Sequence, residues 1–207
     1  MSKTNKAVYT GSLFLVYLCI YWLIQHLVGT TEVDYFTQID KATPFIPEFV
    51  WIYHTLAIGI AMVMIFYIQS RRLFMITFWS CIMSAGVMSV FHILAPAHYP
   101  REAFEVTNVH EYLVHATRII DGASNTFPSA HVAFSVLMYL AVRKTKMALE
   151  NPFLTRFFLL WAIGISLSTM AIKQHFFADV LSGWATAILS FYFIESLFGK
   201  LRLSTSN

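Results

Sequence analysis

The sequence predicts an all-α, polytopic membrane protein: a bundle of six transmembrane helices with both termini on the cytoplasmic side. Three observations carry that expectation. First, the 207 residues are 57% apolar and only 12% charged, whereas charged residues make up near a quarter of a soluble domain. Second, the stretches 7–31, 49–70, 73–100, 122–142, 157–172 and 180–194 hold no Asp, Glu, Lys or Arg. Third, the cations are divided unequally between the connecting segments. The composition excludes a disordered chain, a nucleic-acid-binding domain and a disulfide scaffold. Cys19 and Cys81 both lie in apolar runs, where they read as small hydrophobes.

A hydrocarbon core about 30 Å thick needs roughly 20 helical residues. The first run gives a helix near 8–28. Lys3 and Lys6 precede it as they would a signal peptide, but the apolar stretch is longer than an h-region and no A-x-A-like site follows, so it reads as a retained helix. The second and third helices, near 50–69 and 73–95, are separated by so short a turn that they are antiparallel neighbours. The fourth, near 129–143, starts at Pro128-Ser129. The last two, near 154–172 and 178–198, each extend past a charged residue whose long side chain snorkels. Continuous rather than alternating apolar runs favour helices over a barrel. Without an internal repeat or a long linker, residues 1–207 read as a single six-helix membrane domain.

Orientation follows from the Lys/Arg asymmetry. Six spans put the termini on the same side as the 70–72 and 144–153 connections. That side holds Lys3, Lys6, Arg71, Arg72, Arg143, Lys144, Lys146, Arg156, Lys200 and Arg202, ten of the 14 cations. The other side holds Lys41, Arg101, Arg118 and Lys173, with Glu32, Asp34, Asp40, Glu48, Glu102, Glu105, Glu111, Asp121 and Asp179. The termini are therefore expected to be cytoplasmic, and the segments 29–49 and 96–128 to face outward. The 96–128 segment is long, polar and rich in His; such loops are functional or carry a short helix.

Two stretches carry chemistry. Ser124-Asn125-Thr126-Phe127-Pro128-Ser129-Ala130-His131 leads into the fourth span. Pro128 suits a helix start and Ser129 an N-cap, and the unpaired N–H groups there attract an anion beside His131. Taken alone, this stretch reads as well as a plain helix start with an interfacial His. The second stretch is Lys173-Gln174-His175-Phe176-Phe177-Ala178-Asp179. His175 and Asp179, four apart, are expected on one helix face, where the carboxylate fixes the imidazole tautomer. Against this stands a purely structural His–Asp pair. The topology brings Ser129, His131, Lys173, His175, Asp179 and Arg101 to one membrane level, the components of a metal-free phosphoryl-transfer site.

Other constellations are weaker. His110-Glu111-Tyr112-Leu113-Val114-His115 approaches the zincin H-E-x-x-H, but the second His comes one residue late. His26, His54, His92 and His98 read as packed or interfacial, with His92 and His98 near enough to line a pocket. Trp51, Tyr53, Tyr99 and Tyr112 read as an interfacial aromatic belt. No span shows the paired Gly/Pro breaks of a transporter's discontinuous helices.

The chain resembles the type-2 phosphatidic acid phosphatase superfamily. Pro-Ser-Ala-His at 128–131 resembles its P-S-G-H motif, and Ser-Thr-x5-His-x3-Asp at 168–179 its S-R-x5-H-x3-D. The first family motif, K-x6-R-P, aligns its Arg with Arg101, but Leu94 stands at the Lys position, Glu102 at the Pro position, and Thr169 at the Arg of the third motif. Lys173 is the candidate substitute cation, with Arg118 behind it. The reduced cation set resembles the branch with inositol phosphorylceramide and sphingomyelin synthases.

The resemblance implies a lipid phosphate phosphatase that works through a phosphohistidine, or alternatively a lipid phosphotransferase. It implies His175, His131 and Asp179 as catalytic residues, with Arg101, Lys173, Ser129 and Arg118 binding the substrate phosphate. No metal and no other cofactor are expected. The partners are the bilayer and a lipid phosphate reached from the outer, non-cytoplasmic side; nucleic acid is not one.

Overall fold

The computed structural model describes residues 1–28, 35–101, 103–122 and 124–204, with side chains through residue 200. Glu32, Asp34, Glu102 and the side chain of Arg202 lie outside that set. Among the described residues every regular element is helical. In chain order they are α1 (Lys3–Leu27), α2 (Gln38–Ala42), α3 (Val50–Met62), α4 (Arg71–Leu94), α5 (Val109–Asp121), α6 (Ala130–Val142), α7 (Lys146–Glu150), α8 (Pro152–Ala171) and α9 (Phe177–Ser204). A 3-10 turn at Pro47–Phe49 and a π turn at Val63–Tyr67 extend α3 at its two ends. Five segments of the described residues are long and apolar enough to cross a membrane: Lys3–Leu27, Pro47–Tyr67, Arg71–Leu94, Pro152–Ala171 and Phe177–Lys200.

The helix starts follow from local chemistry. Ser2, Ser70, Ser129 and Thr145 each accept a hydrogen bond from a first-turn N–H of α1, α4, α6 and α7, and Asn151 does the same ahead of Pro152 in α8. Lys6 explains its own burial: its ammonium donates to the carbonyl of Ile68, where the π turn leaves an acceptor unpaired. The 96–128 segment does carry a helix, the amphipathic α5, capped by Asn108. Beside that cap, the N–H and hydroxyl of Thr107, each 2.7 Å away, hold the Glu111 carboxyl below the usual carboxylate range.

The fourth predicted span falls on α6, a shorter apolar helix outside those five, 13 residues from Ala130 to Val142 and about 20 Å long at 1.5 Å per residue. Its apolarity has a different origin from that of α1. Helices α3, α4, α8 and α9 all pack on α6, and every residue from Val132 to Met138 is buried. A helix enclosed on all sides is apolar on all sides. By contrast α1 leaves Val8, Leu15, Trp22 and Leu27 exposed.

Two glycines mark close helix contacts. A Cβ on Gly59 would stand 2.2 Å from the Trp161 ring of α8, and one on Gly183 of α9 would stand 2.9 Å from the Ser129 carbonyl oxygen. The second contact seats the start of α6 directly against α9, next to the site.

Candidate active site

Helix α8 ends at Ala171, and the chain reverses within a few residues. Lys173 takes a left-handed φ of +58°, and the Thr169 carbonyl accepts both Gln174 N–H at 2.9 Å and His175 N–H at 3.2 Å. Helix α9 begins at Phe177, so His175 lies before the helix rather than on one of its faces, as the spacing had suggested. It meets Asp179 through a cap: Oδ2 of Asp179 accepts the Phe176 N–H at 2.9 Å and stands 3.2 Å from His175 Nδ1.

The second partner of His175 comes from the other motif. Asn125 has a left-handed φ of +63° and Phe127–Pro128 is a cis peptide; this stretch sets the Thr126 carbonyl 3.0 Å from His175 Nδ1. Both neighbours of Nδ1 are acceptors, so in the neutral ring Nδ1 carries the proton and Nε2 keeps its lone pair. Asp179 is fully buried and His175 nearly so. The Ser129 N–H donates to the Asp179 carbonyl at 3.1 Å, fastening the two motifs together.

His131 occupies the first turn of α6. Its ring stacks on Tyr53 of α3 at 4.0 Å and lies 6.0 Å from the His175 ring, centroid to centroid. A cavity of about 240 Å³ is lined by both histidines together with Arg101, Gln174, Asn125, Tyr53 and Asp121. Its apolar lining includes Phe14 and Leu18 of α1, Leu56 and Ile60 of α3, and Phe134.

Arg101 donates from one guanidinium nitrogen to the Arg118 carbonyl at 2.8 Å and from the other to Gln174 Oε1. Arginine has no acceptor, so the Gln174 amide must turn its oxygen toward it and its NH₂ away. Both Gln174 Nε2 and Arg101 Nε are buried without a protein partner. Unmatched buried donors are uncommon, and these two belong to cavity-lining residues beside a pair of imidazoles. Burial pulls the Arg101 guanidinium below its ordinary pKa, as does the neighbouring Arg118, while Asp121 opposes both. The N–H groups of Ala130 and His131, at the start of α6, have no intrahelical partner and add positive field at the same end.

The structure separates the other predicted ligands from this cavity. Ser129 is fully buried, and its hydroxyl caps α6 at Val132 N–H. Lys173 and Arg118 line a neighbouring cavity of about 480 Å³ with Asp40, Thr43 and Phe104. The Lys173 ammonium donates to the carbonyls of Thr43 and, at 3.1 Å, Asp40, at the C-terminal end of α2. The Arg118 guanidinium lies 4.8 Å over the Phe104 ring and 3.5 Å from the Ile172 carbonyl. Thr169 is buried, its hydroxyl on the Ser166 carbonyl at 2.8 Å.

Tyr53 and Tyr99 are not belt residues: both are buried, Tyr53 bonded to Asp121 and Tyr99 against the Phe176 ring at 4.6 Å. Trp51 Nε1 donates to His110 Nδ1 at 2.9 Å, and among the described residues no three His, Cys, Asp or Glu converge as metal ligands would. Gln174 carries no motif signal of its own, and Tyr53 and Asp121 read from the sequence only as a belt residue and as one of the carboxylates on the side opposite the termini. Gln174 adjoins His175 and Asp121 adjoins the Ser124–His131 stretch; that adjacency was the only signal.

An imidazole nitrogen with a free lone pair, a second imidazole 6.0 Å away centroid to centroid and unmatched donors on residues of the same cavity suit displacement at an oxyanionic centre. The family model described as PAP2 superfamily matches residues 35–193. That range includes every cavity-lining residue except those of α1. No curated protein and no solved structure matches the chain.

Proposed function

This chain belongs to the PAP2 superfamily, and on that premise we propose that it is a multi-pass membrane phosphatase that hydrolyses a lipid phosphomonoester or pyrophosphate through a phosphohistidine. The observation that carries the reading is the pairing of His175 Nδ1 with two acceptors, Thr126 O at 3.0 Å and Asp179 Oδ2 at 3.2 Å, with the His131 ring 6.0 Å away.

In the first step Nε2 of His175 attacks phosphorus in line. The P–O bond to the lipid breaks, its electron pair goes to the departing oxygen, and protonated His131 supplies that oxygen with a proton. Asp179 balances the charge that forms on His175. In the second step neutral His131 takes a proton from water as its oxygen attacks phosphorus. The P–N bond breaks, the pair returns to His175 Nε2, and inorganic phosphate leaves. Arg101, Gln174 and the N–H groups at the start of α6 hold the equatorial oxygens. The apolar lining of the cavity from α1 and α3 takes the lipid tail.

We place the termini in the cytoplasm and the site at the opposite face, because ten of the 14 cations lie in segments on the terminal side of a six-span topology.

A second reading, transfer of the phospho-group to an alcohol as in the branch with inositol phosphorylceramide synthases, is favoured by one observation. Leu94 and Thr169 stand where two family cations would be, and the Thr169 hydroxyl is turned into its own helix.

The test is phosphate release from a panel of lipid phosphates by purified protein in EDTA, beside His175→Ala. Release that His175→Ala lacks supports the hydrolase. No release from wild type, with headgroup exchange once inositol, ethanolamine or a lipid alcohol is supplied, establishes the transferase. Activity that persists in His175→Ala, or that EDTA removes and zinc restores, overturns the scheme.

A further inference from the structure

We propose that Asp121 and Tyr53 are positioning residues for His131, a carboxylate–phenol relay that fixes which nitrogen of that ring works and supports its charged form; this rests on the reading of His131 as the proton donor.

The relay joins three helices distant in sequence. The Tyr53 hydroxyl, on α3, donates to Oδ2 of Asp121, the last residue of α5, at 2.6 Å. Tyr53 is 3% exposed, and its ring is the surface on which the His131 imidazole stacks, with 24° between the planes. The phenol oxygen lies 3.4 Å from His131 Nδ1. Tyrosine has one proton, and a carboxylate only accepts, so that proton belongs to the 2.6 Å bond. Toward His131 the phenol then offers lone pairs alone. Its partner is Nδ1–H, which leaves Nε2 as the nitrogen that exchanges protons in the cavity.

Asp121 is itself held from a second side. The Tyr21 hydroxyl of α1 donates to its carbonyl at 2.9 Å, and among the described residues no cation pairs with its carboxylate within salt-bridge distance. Its negative charge therefore stands behind Tyr53, acting on Arg101 through space but hydrogen-bonded to the phenol. When His131 is protonated, that charge complements the imidazolium across the stacked ring. The titratable and charged groups that line the same cavity as His131 are Tyr53 and His54 from α3, Asp121 from α5, Tyr17 and Tyr21 from α1, His175 from the α8–α9 turn, and Arg101. Of these Asp121 alone is anionic. His54 is engaged elsewhere, with Nε2 on Thr117 Oγ1 at 3.0 Å.

A packing role and a proton-donor role are separated by the leaving group. An alkyl phosphate needs a proton on the departing oxygen, whereas p-nitrophenyl phosphate releases a stable anion without one. The experiment compares kcat/KM, which reports the phosphorylation half-reaction, for a lipid alkyl phosphate and for p-nitrophenyl phosphate. It uses wild type, Tyr53→Phe (which keeps the stacking ring), Asp121→Asn (which keeps the shape) and His131→Ala. Tyr53→Phe and Asp121→Asn are each expected to lose about 10- to 100-fold on the alkyl substrate, part of the 10²–10⁴ a general acid supplies, and less than about threefold on the aryl one. Equal losses on both substrates, or no loss on either, overturn the relay. His131→Ala is the control for the underlying reading. If it shows the leaving-group selectivity and the two relay variants do not, the relay alone fails. If it shows none, His131 is not the acid and both fall.

Discussion

Nδ1 of His175 stands 3.2 Å from Oδ2 of Asp179, and the same oxygen caps Phe176 at 2.9 Å. One buried carboxylate thus starts α9 and fixes a tautomer. Asp179→Asn keeps the shape but can turn an N–H donor toward Nδ1, favouring the tautomer whose proton sits on Nε2. We expect kcat for lipid phosphate hydrolysis to fall by about 10²–10⁴-fold, the scale seen when a histidine loses its orienting carboxylate. His175→Ala should abolish formation of an acid-labile, alkali-stable phosphoenzyme in rapid-quench labelling. Retention of that intermediate in His175→Ala would remove His175 from the chemistry.

Arg101 and Gln174 act as one unit, because the guanidinium holds the amide oxygen and so aims the amide NH₂. Gln174→Ala removes one unmatched donor, and Arg101→Lys removes the fork that aims it. A hydrogen bond to a charged group contributes about 1.5–3 kcal/mol, so each variant should lower kcat/KM by roughly 10- to 100-fold. The double variant should fall short of the product of the two, since the pair is coupled. Strict additivity in a double-mutant cycle would show that the two do not share a ligand.

Gly183 has no room for a methyl group: its Cβ would meet the Ser129 carbonyl oxygen at 2.9 Å and Val132 Cβ also at 2.9 Å. Neither neighbour is the end of a flexible side chain. Gly183→Ala must therefore push the start of α6 away from α9, at a cost of about 1–3 kcal/mol. The Ser129 N–H to Asp179 carbonyl bond crosses the same contact, so activity should fall together with thermal stability in detergent. Gly86→Ala is the control, because a Cβ there meets nothing within 4 Å.

The helical class was readable because a bilayer demands apolar residues at every exposed position, and charge-free runs satisfy that demand visibly. The run that became α6 looks the same for another reason, enclosure by four helices, and composition alone does not separate lipid from protein as the apolar neighbour. His131, His175 and Asp179 stood out because a polar group in an apolar setting is conspicuous and local spacing brought two of them together. Tyr53 and Asp121 are 68 residues apart, and only the packing of α3 against α5 joins them. The charge of Lys173 was visible; the left-handed turn that commits its ammonium to the end of α2 was not.

The proposed orientation has a direct chemical readout. In a Cys19→Ser, Cys81→Ser background, Glu105→Cys lies before α5 on the proposed outer face, and Lys146→Cys lies in α7 on the cytoplasmic one. Both positions are exposed. A membrane-impermeant maleimide added to intact cells should label Glu105→Cys and not Lys146→Cys, and permeabilisation should equalise them. The reverse pattern would invert the topology and put the site on the cytoplasmic side.

Lys173 and Arg101 both matched a phosphate-binding role by sequence, but their surroundings differ. Arg101 lines the cavity with the histidines, while Lys173 lines the neighbouring one and donates to the carbonyls of Thr43 and Asp40. Those carbonyls are the unpaired acceptors at the end of α2, and Asp40 in turn accepts the Phe177 N–H at the start of α9 at 2.7 Å. Lys173→Met keeps the stem and removes the ammonium. It should lower thermal stability by about 1–3 kcal/mol, the cost of leaving a buried acceptor unmatched, and leave KM for the lipid phosphate within about twofold, against the larger loss expected in Arg101→Lys. A rise in KM of about tenfold or more in Lys173→Met at unchanged stability would return Lys173 to the phosphate and make the two cavities one site.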